Sequence, residues 1–286
     1  MSNPITTRNP YFSSTQQRPN QFGAQRTEYG YGDQYAPDNY GYQTESEQVW
    51  DDSDGAFVTE RMTYNDALNK VAILLGIALV TGTATATLLP PATWVSAATV
   101  SVIGAFIVGM ILAFQRMVKP GMAIAYAVLE GVALGALTAA FELIVPGIAL
   151  QTILATAIIV GVTLALHYTG TVRTTPKGRK VIIVAAFGYL IFSLVNAVLM
   201  WTGVLDRAWG IRGYEVAGIP LGVLLGGVMI LVAAYMLIGD FEDINTAIVN
   251  GAPREFSWTV GIAIVMTILW IYIEVLRVIA ILASDR

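Results

Sequence analysis

The sequence predicts an all-α polytopic membrane protein with seven transmembrane helices. Of its 286 residues, 55% are hydrophobic and only 13% are charged, which is about half the roughly 25% charged residues of a soluble domain. The apolar residues form long runs, each close to the roughly 20 residues that one bilayer span requires. Short gaps rich in proline and glycine separate the runs, as expected for turns.

Seven runs are long enough to span a bilayer. They cover about 69–89, 93–114, 121–144, 147–168, 179–202, 217–239 and 258–283. Backbone groups in hydrocarbon must be satisfied within their own segment, so each run is predicted to be a helix. We number these predicted spans 1 to 7 and treat residues 61–286 as one transmembrane domain.

Residues 1–60 are predicted to be a disordered, cytoplasmic tail. They contain nine acidic residues and three arginines, and their tyrosines alternate with glycine, glutamine, asparagine and aspartate. No apolar run is present to offset the entropy lost on ordering. The tail is either a solvated leader or an interaction or phosphorylation segment. It lacks the basic start and apolar stretch of a signal peptide.

Lysine and arginine residues between the spans predict the orientation in a cell membrane. Nine bases lie on one side of the predicted spans: Arg61, Lys70, Arg116, Lys119, Arg173, Lys177, Arg179, Lys180 and Arg254. Four lie on the other: Arg207, Arg212, Arg277 and Arg286. The bias predicts a cytoplasmic N-terminus and a C-terminus outside.

The residue inventory argues against an enzyme. The chain has no cysteine and one histidine, so thiolate sites and two-histidine zinc sites are excluded. No serine–histidine or paired-aspartate protease motif appears. All four lysines lie at span ends or in gaps, which excludes a retinal Schiff base. We therefore expect no enzymatic activity, no cofactor and no nucleic-acid partner.

Small residues at four-residue spacing predict close helix packing. Gly218, Gly222 and Gly226 have this spacing in span 6, and Gly131 and Gly135 have it in span 3. Asn196 in span 5 is predicted to hydrogen-bond a neighbouring helix.

Several ionisable residues fall inside or at the ends of the spans, where each charge at mid-bilayer costs about 2.5–3.5 kcal/mol. Glu130 lies in span 3, and Asp240 and Asp243 lie at the end of span 6. Glu274 and Arg277 lie in span 7. Each also has a structural interpretation. Asp240 and Asp243 fit a hydrated helix end, Glu274 and Arg277 fit a local ion pair, and Glu130 fits a protonated acid bonded to a neighbouring helix.

The alternative is that these carboxylates face one interior. Close carboxylates cannot all ionise cheaply, so they would share protons. Once ionised, they would repel one another and offer oxygen ligands to a cation such as Ca²⁺. This arrangement would form a cation pathway controlled by pH.

His167 is interpreted as an interfacial residue.

Four segments resemble the bacterial branch of the Bax inhibitor-1 family. They are Tyr126–Gly135 (YAVLEGVALG), Ile238–Asp243 (IGDFED), Gly251–Trp258 (GAPREFSW) and Leu269–Val278 (LWIYIEVLRV). The resemblance covers about residues 61–284. It implies six helices around a central seventh, and a pair of acids on the last two spans that senses pH and gates a calcium leak.

The resemblance places the pH sensor at Asp240 and Glu274, which are also its tentative calcium ligands. Glu130, Asp243 and Arg277 are candidate pathway or neighbouring residues. The first hypothesis is therefore a pH-sensitive calcium or cation leak channel in the cell membrane, with Ca²⁺ or H⁺ and the lipid bilayer as its partners. The second is a non-transporting regulator that binds other membrane proteins and modulates proteolysis or stress responses.

Overall fold

The computed structural model describes residues 60–205 and 209–284. Within them lie seven helices that are long and apolar enough to cross a membrane. They are α1 Tyr64–Leu88, α2 Trp94–Phe114, α3 Pro120–Glu142, α4 Ile148–Tyr168, α5 Pro176–Trp201, α6 Leu221–Val249 and α7 Ser257–Ser284. The predicted fold class and number of spans are confirmed. Apart from Glu60, the predicted tail of residues 1–60 lies outside the described residues.

Most helix ends follow the sequence punctuation, but the predicted end of span 6 is wrong. The apolar run ends at residue 239, whereas α6 continues to Val249. Nothing in the intervening sequence breaks a helix until Gly251, which adopts a left-handed φ of 69°. Asp240 and Asp243 therefore lie within α6, well before its last turn.

The last helix is the centre of the bundle, as the family resemblance implied. Half of the membrane-spanning window of α7 is buried, more than for any other described helix. It packs against α1, α3, α4 and α6, and Tyr189 of α5 reaches it through a hydrogen bond to Glu274. Its polar side chains can therefore meet partners from most of the bundle.

Glycines allow the backbones of α1 and α3 to approach closely. A Cβ at Gly135 would overlap the carbonyl oxygen of Gly82, and one at Gly131 would overlap the Thr81 hydroxyl. Gly222 and Gly226 face Ile281 and Val278 of α7 in the same way. The predicted role of these four glycines in packing is confirmed.

The connection before α6 differs from the sequence prediction. Glu215–Val216 and Ile219–Pro220 form a two-stranded antiparallel hairpin (β1 and β2). Gly218 lies in its turn, with a positive φ of 79°, and is not part of the helical glycine stripe. The prediction for Asn196 is wrong: its Oδ1 accepts a hydrogen bond from the Ile211 backbone N–H at 2.7 Å, so it bonds the short 3₁₀ turn after α5 and not another membrane-spanning helix.

The start of α1 is fixed to the loop between α6 and α7. The Met62 N–H donates to the Ala252 carbonyl at 2.9 Å, and the Arg254 N–H donates to the Glu60 carbonyl at 2.7 Å. The Arg254 side chain bonds the carboxylates of Glu60 and Asp66. These contacts join the segment that precedes α1 to the loop between α6 and α7.

Candidate functional site

The Asp240 side chain forms a hydrogen bond with a threonine of α7. The Thr267 hydroxyl donates to Asp240 Oδ2 at 2.6 Å and also lies 3.2 Å from the Ala263 carbonyl oxygen. Asp240 is nine residues from the end of α6 and Thr267 is ten residues from the start of α7. Both therefore lie about 13–15 Å inside these helix ends. A carboxylate and a hydroxyl thus join the two antiparallel helices at one level.

Glu274 occupies a separate, fully satisfied cluster. Its side chain is only 1% exposed. Arg277 Nη1 donates to both of its oxygens at 2.8 Å, while the Tyr189 hydroxyl and Trp270 Nε1 donate at 2.9 and 3.2 Å. Arg277 Nη1 also donates to the Tyr189 hydroxyl at 2.6 Å. The local ion pair considered from the sequence is present, and Tyr189 links it to α5.

The predicted pair of Asp240 with Glu274 is not formed. Asp240 bonds Thr267, which precedes Glu274 by seven residues, or about 10 Å along α7. Glu274 instead lies beside Gly226, where a Cβ would be 3.9 Å from Glu274 Oε2. Gly226 and Asp240 are about 20 Å apart along α6. In this structure the two acids therefore lie at different depths of the α6–α7 contact and share no hydrogen-bond partner among the described residues.

A cluster at the start of α5 lies next to Asp240. Arg179 Nη1 donates to Asp243 at 2.8 Å, and Nη2 donates to Glu242 at 3.2 Å. Nη2 also bonds the Gly239 carbonyl at 3.2 Å. The Thr174 hydroxyl donates to Glu242 as well. One arginine therefore anchors α5 to the acidic stretch of α6.

The Arg179 contacts lead to a prediction. We expect Arg179→Met to destabilise the protein by about 1–2 kcal/mol, because charged hydrogen bonds contribute about 1.5–3 kcal/mol and this side chain is 27% exposed. The measurement is reversible unfolding in mixed micelles. Lys180→Met, at the exposed neighbouring position, is the matched control. Equal midpoints for the two variants would contradict the anchoring role.

Glu130 joins neither Asp240 nor Glu274 in the described part of the structure. It lies on α3 next to Gly131, which faces α1, and close to Tyr126, one turn earlier on the same helix. Among the described residues it has no hydrogen-bond or ion-pair partner. In the same part of the chain, no group of three or more histidine, cysteine, aspartate or glutamate side chains could hold a metal ion. The roles of Glu130 and Asp243 in a pathway stay predictions.

Sequence reasoning missed three polar residues of these sites. Nothing in the sequence around Thr267 indicates a partner on another helix, because a threonine in a span commonly bonds the carbonyl one turn earlier. Tyr189 was one of several aromatic residues in an apolar run. Arg212 was counted as a loop base, yet it is 8% exposed. Its guanidinium lies over the rings of Tyr189 and Phe192 at 5.4 and 5.3 Å.

His167 packs its ring against Phe241, with the ring centroids 5.6 Å apart. This contact places a titratable ring on α4 beside the residue that follows Asp240. Asp240 itself bonds Thr267 on α7 and lies near Asp243 on its own helix and Arg179 on α5. Three acids and one arginine meet at this end of α6.

Comparison with known proteins supports the family resemblance. A family model described as Bax inhibitor 1 like matches residues 3–284. The match thus begins within the predicted tail and extends beyond the range that the motifs indicated. No curated protein and no solved structure matches the chain. Because the family model covers nearly the whole sequence and the structure has the seven apolar helices, this chain belongs to the Bax inhibitor 1 like family of multi-pass membrane proteins.

Proposed function

We propose that this protein is a pH-sensitive leak pathway for Ca²⁺ or a similar cation, without enzymatic activity or a resident cofactor. The observation that carries the proposal is the Asp240–Thr267 hydrogen bond, which joins α6 to the central helix inside the bundle. An ionisable residue inside a membrane protein is costly, and it commonly marks an ion or proton pathway.

The charges around Asp240 give the expected direction of the pH response. A protonated Asp240 is neutral and can bond Thr267 without attracting a cation. Loss of the proton adds a third negative charge beside Glu242 and Asp243, and Arg179 supplies only one positive charge in return. The excess negative charge favours entry of a cation and water between α6 and α7. The leak is therefore expected to rise with pH.

Calcium flux into vesicles containing the full chain tests this proposal. The ratio of flux at roughly pH 8 to flux at roughly pH 6 is expected to exceed one for the natural sequence and to fall toward one in Asp240→Asn. Asparagine keeps the size and the hydrogen-bond acceptor but cannot ionise. Glu215→Gln, which removes an exposed acid in β1, is the matched control and is expected to keep the ratio.

Thr267→Val gives a second, graded readout. The threonine hydroxyl stabilises the ionised carboxylate, so its loss is expected to move the midpoint of the flux curve to higher pH without abolishing the flux. Comparison with Glu274→Gln separates two kinds of gate. A gate that needs both acids loses its pH response in either variant, whereas a gate at Asp240 and Thr267 keeps it in Glu274→Gln.

The same flux experiment also tests the hypothesis that the protein is a non-transporting regulator. A protein that acts only by binding other membrane proteins produces no flux at any pH, in the natural sequence or in the variants. Flux that is present but equally pH-dependent in Asp240→Asn would reject the gate while leaving a leak.

A further inference from the structure

An apolar groove runs between α1 and α4, with α3 and α7 as its floor. Its volume is about 540 Å³, within the range of about 300–1,000 Å³ that is typical of sites for small molecules. None of the described residues that line it is charged. We call it the α1–α4 groove; Asp240, Thr267 and Glu274 are not among the residues that line it.

The length of the α1–α4 groove matches one leaflet of a bilayer. On α4 it runs from Ala149 to Val160, and on α1 from Ala86 back to Leu75. Each stretch rises about 16 Å, which is about half of the roughly 30 Å hydrocarbon core. Ala86 is near the end of α1 and Ala149 is near the start of α4, so the groove extends from one membrane surface to about the middle.

A buried hydroxyl in the wall lacks a partner. Thr156 is 7% exposed, and its Oγ1 has no hydrogen bond within the described structure. The other buried threonines of α4 differ: Thr152 and Thr163 donate to the carbonyls of Ile148 and Ile159 at 2.8 and 2.7 Å. Buried hydroxyls are rarely left unpaired, so Thr156 is an unused hydrogen-bond donor in the wall of the groove.

A second hydroxyl proton is available in the same groove. Thr138 Oγ1 and the Tyr272 hydroxyl are 2.9 Å apart, and only one of them can donate to the other. The remaining proton is free to bond a ligand. Thr138 lies about 6 Å from the end of α3, and Thr156 about 12 Å from the start of α4. Neutral donors without any cation suit an uncharged acceptor such as an ester carbonyl.

We propose that the α1–α4 groove is a lipid-binding site that holds one acyl chain of a membrane lipid. The lipid comes from the leaflet on the side where α1 and α3 end, and its ester carbonyl accepts a hydrogen bond from the Thr138–Tyr272 pair, which lies closer to that membrane surface than Thr156 does. The apolar walls exclude ordered water, which needs two to four polar partners. The surrounding bilayer supplies hydrocarbon chains of the matching length.

Photocrosslinking of the full chain tests the site. The probe is a phosphatidylglycerol with a diazirine on one acyl chain, in vesicles of phosphatidylethanolamine and phosphatidylglycerol. Labelled peptides are expected to map to the groove-lining parts of α1 and α4. Ala157→Phe fills the groove at an exposed position and is expected to lower this labelling about fivefold or more. Ala165→Phe, exposed on the same helix outside the groove, is the control and is expected to keep it.

Hydroxyl-removing variants test the hydrogen bond while leaving the groove open. Because a ligand carbonyl bonds the Thr138–Tyr272 pair, Thr156→Val is expected to leave the labelling nearly unchanged, as is Thr163→Val, which removes an already paired hydroxyl. The double variant Thr138→Val with Tyr272→Phe removes both hydroxyls of the pair and is expected to lower the labelling about threefold. Circular dichroism confirms the fold of each variant. Labelling spread evenly over lipid-facing residues, or unchanged either in Ala157→Phe or in the Thr138→Val with Tyr272→Phe variant, would overturn the site. Native mass spectrometry that finds a quinone or a peptide in the groove would overturn the acyl chain as occupant.

Discussion

Replacing Arg277 with methionine is expected to destabilise the folded protein by about 3–5 kcal/mol, because the change leaves the buried Glu274 carboxylate without its ion-pair partner. Glu274 is 1% exposed, and Arg277 supplies hydrogen bonds to both of its oxygens. Tyr189 and Trp270 still donate to Glu274 in the variant, but neither is charged. Reversible unfolding in mixed micelles, followed by tryptophan fluorescence, measures the loss.

The double variant Arg277→Met with Glu274→Leu separates the ion pair from simple packing. Removal of both charges leaves no unpaired charge, although Tyr189 and Trp270 lose their acceptor. The double variant is therefore expected to lose less stability than the sum of the two single variants. Arg254→Met is the control, because this arginine pairs with Glu60 and Asp66 at the surface with 57% of its side chain exposed. Similar losses in Arg277→Met and Arg254→Met would contradict a special role for the buried pair.

Gly135→Ala is expected to destabilise the protein by about 3 kcal/mol, at the upper end of the usual effect of overpacking. The new Cβ would overlap the Gly82 carbonyl oxygen and lie 2.6 Å from the Gly82 Cα. Both obstacles are backbone atoms, which cannot move aside as the end of a side chain can. The helices α1 and α3 must therefore separate along the whole contact. Unfolding in mixed micelles again gives the free energy.

Gly76→Ala is the matched control for this prediction. Gly76 lies on α1 itself, and a Cβ there would meet no atom within 4 Å. The substitution is expected to stabilise the helix by about 0.5–1 kcal/mol through the smaller entropy loss of alanine. If Gly135→Ala proved as stable as Gly76→Ala, the close approach of α1 and α3 would be refuted.

The candidate site could be predicted only in part. The sequence identified the ionisable residues in the spans, because any charge in a long apolar run stands out. It could not identify their partners. Asp240 is 27 positions from Thr267 and Tyr189 is 85 from Glu274, and nothing in the intervening residues encodes which helix faces meet. The family resemblance suggested a pair of acids, and in this chain Asp240 meets a hydroxyl on α7 instead.

Helix number and most helix ends were determined by the sequence itself. In lipid each helix satisfies its own backbone hydrogen bonds, so apolar length and glycine–proline punctuation act locally. The extension of α6 past residue 239 shows the limit of that reasoning, because charged residues end an apolar run without ending a helix. Tertiary structure alone decided which polar groups share a level of the bundle. Those contacts depend on how helices rotate and pack against one another, and that is set by distant surfaces such as Gly82 against Gly135.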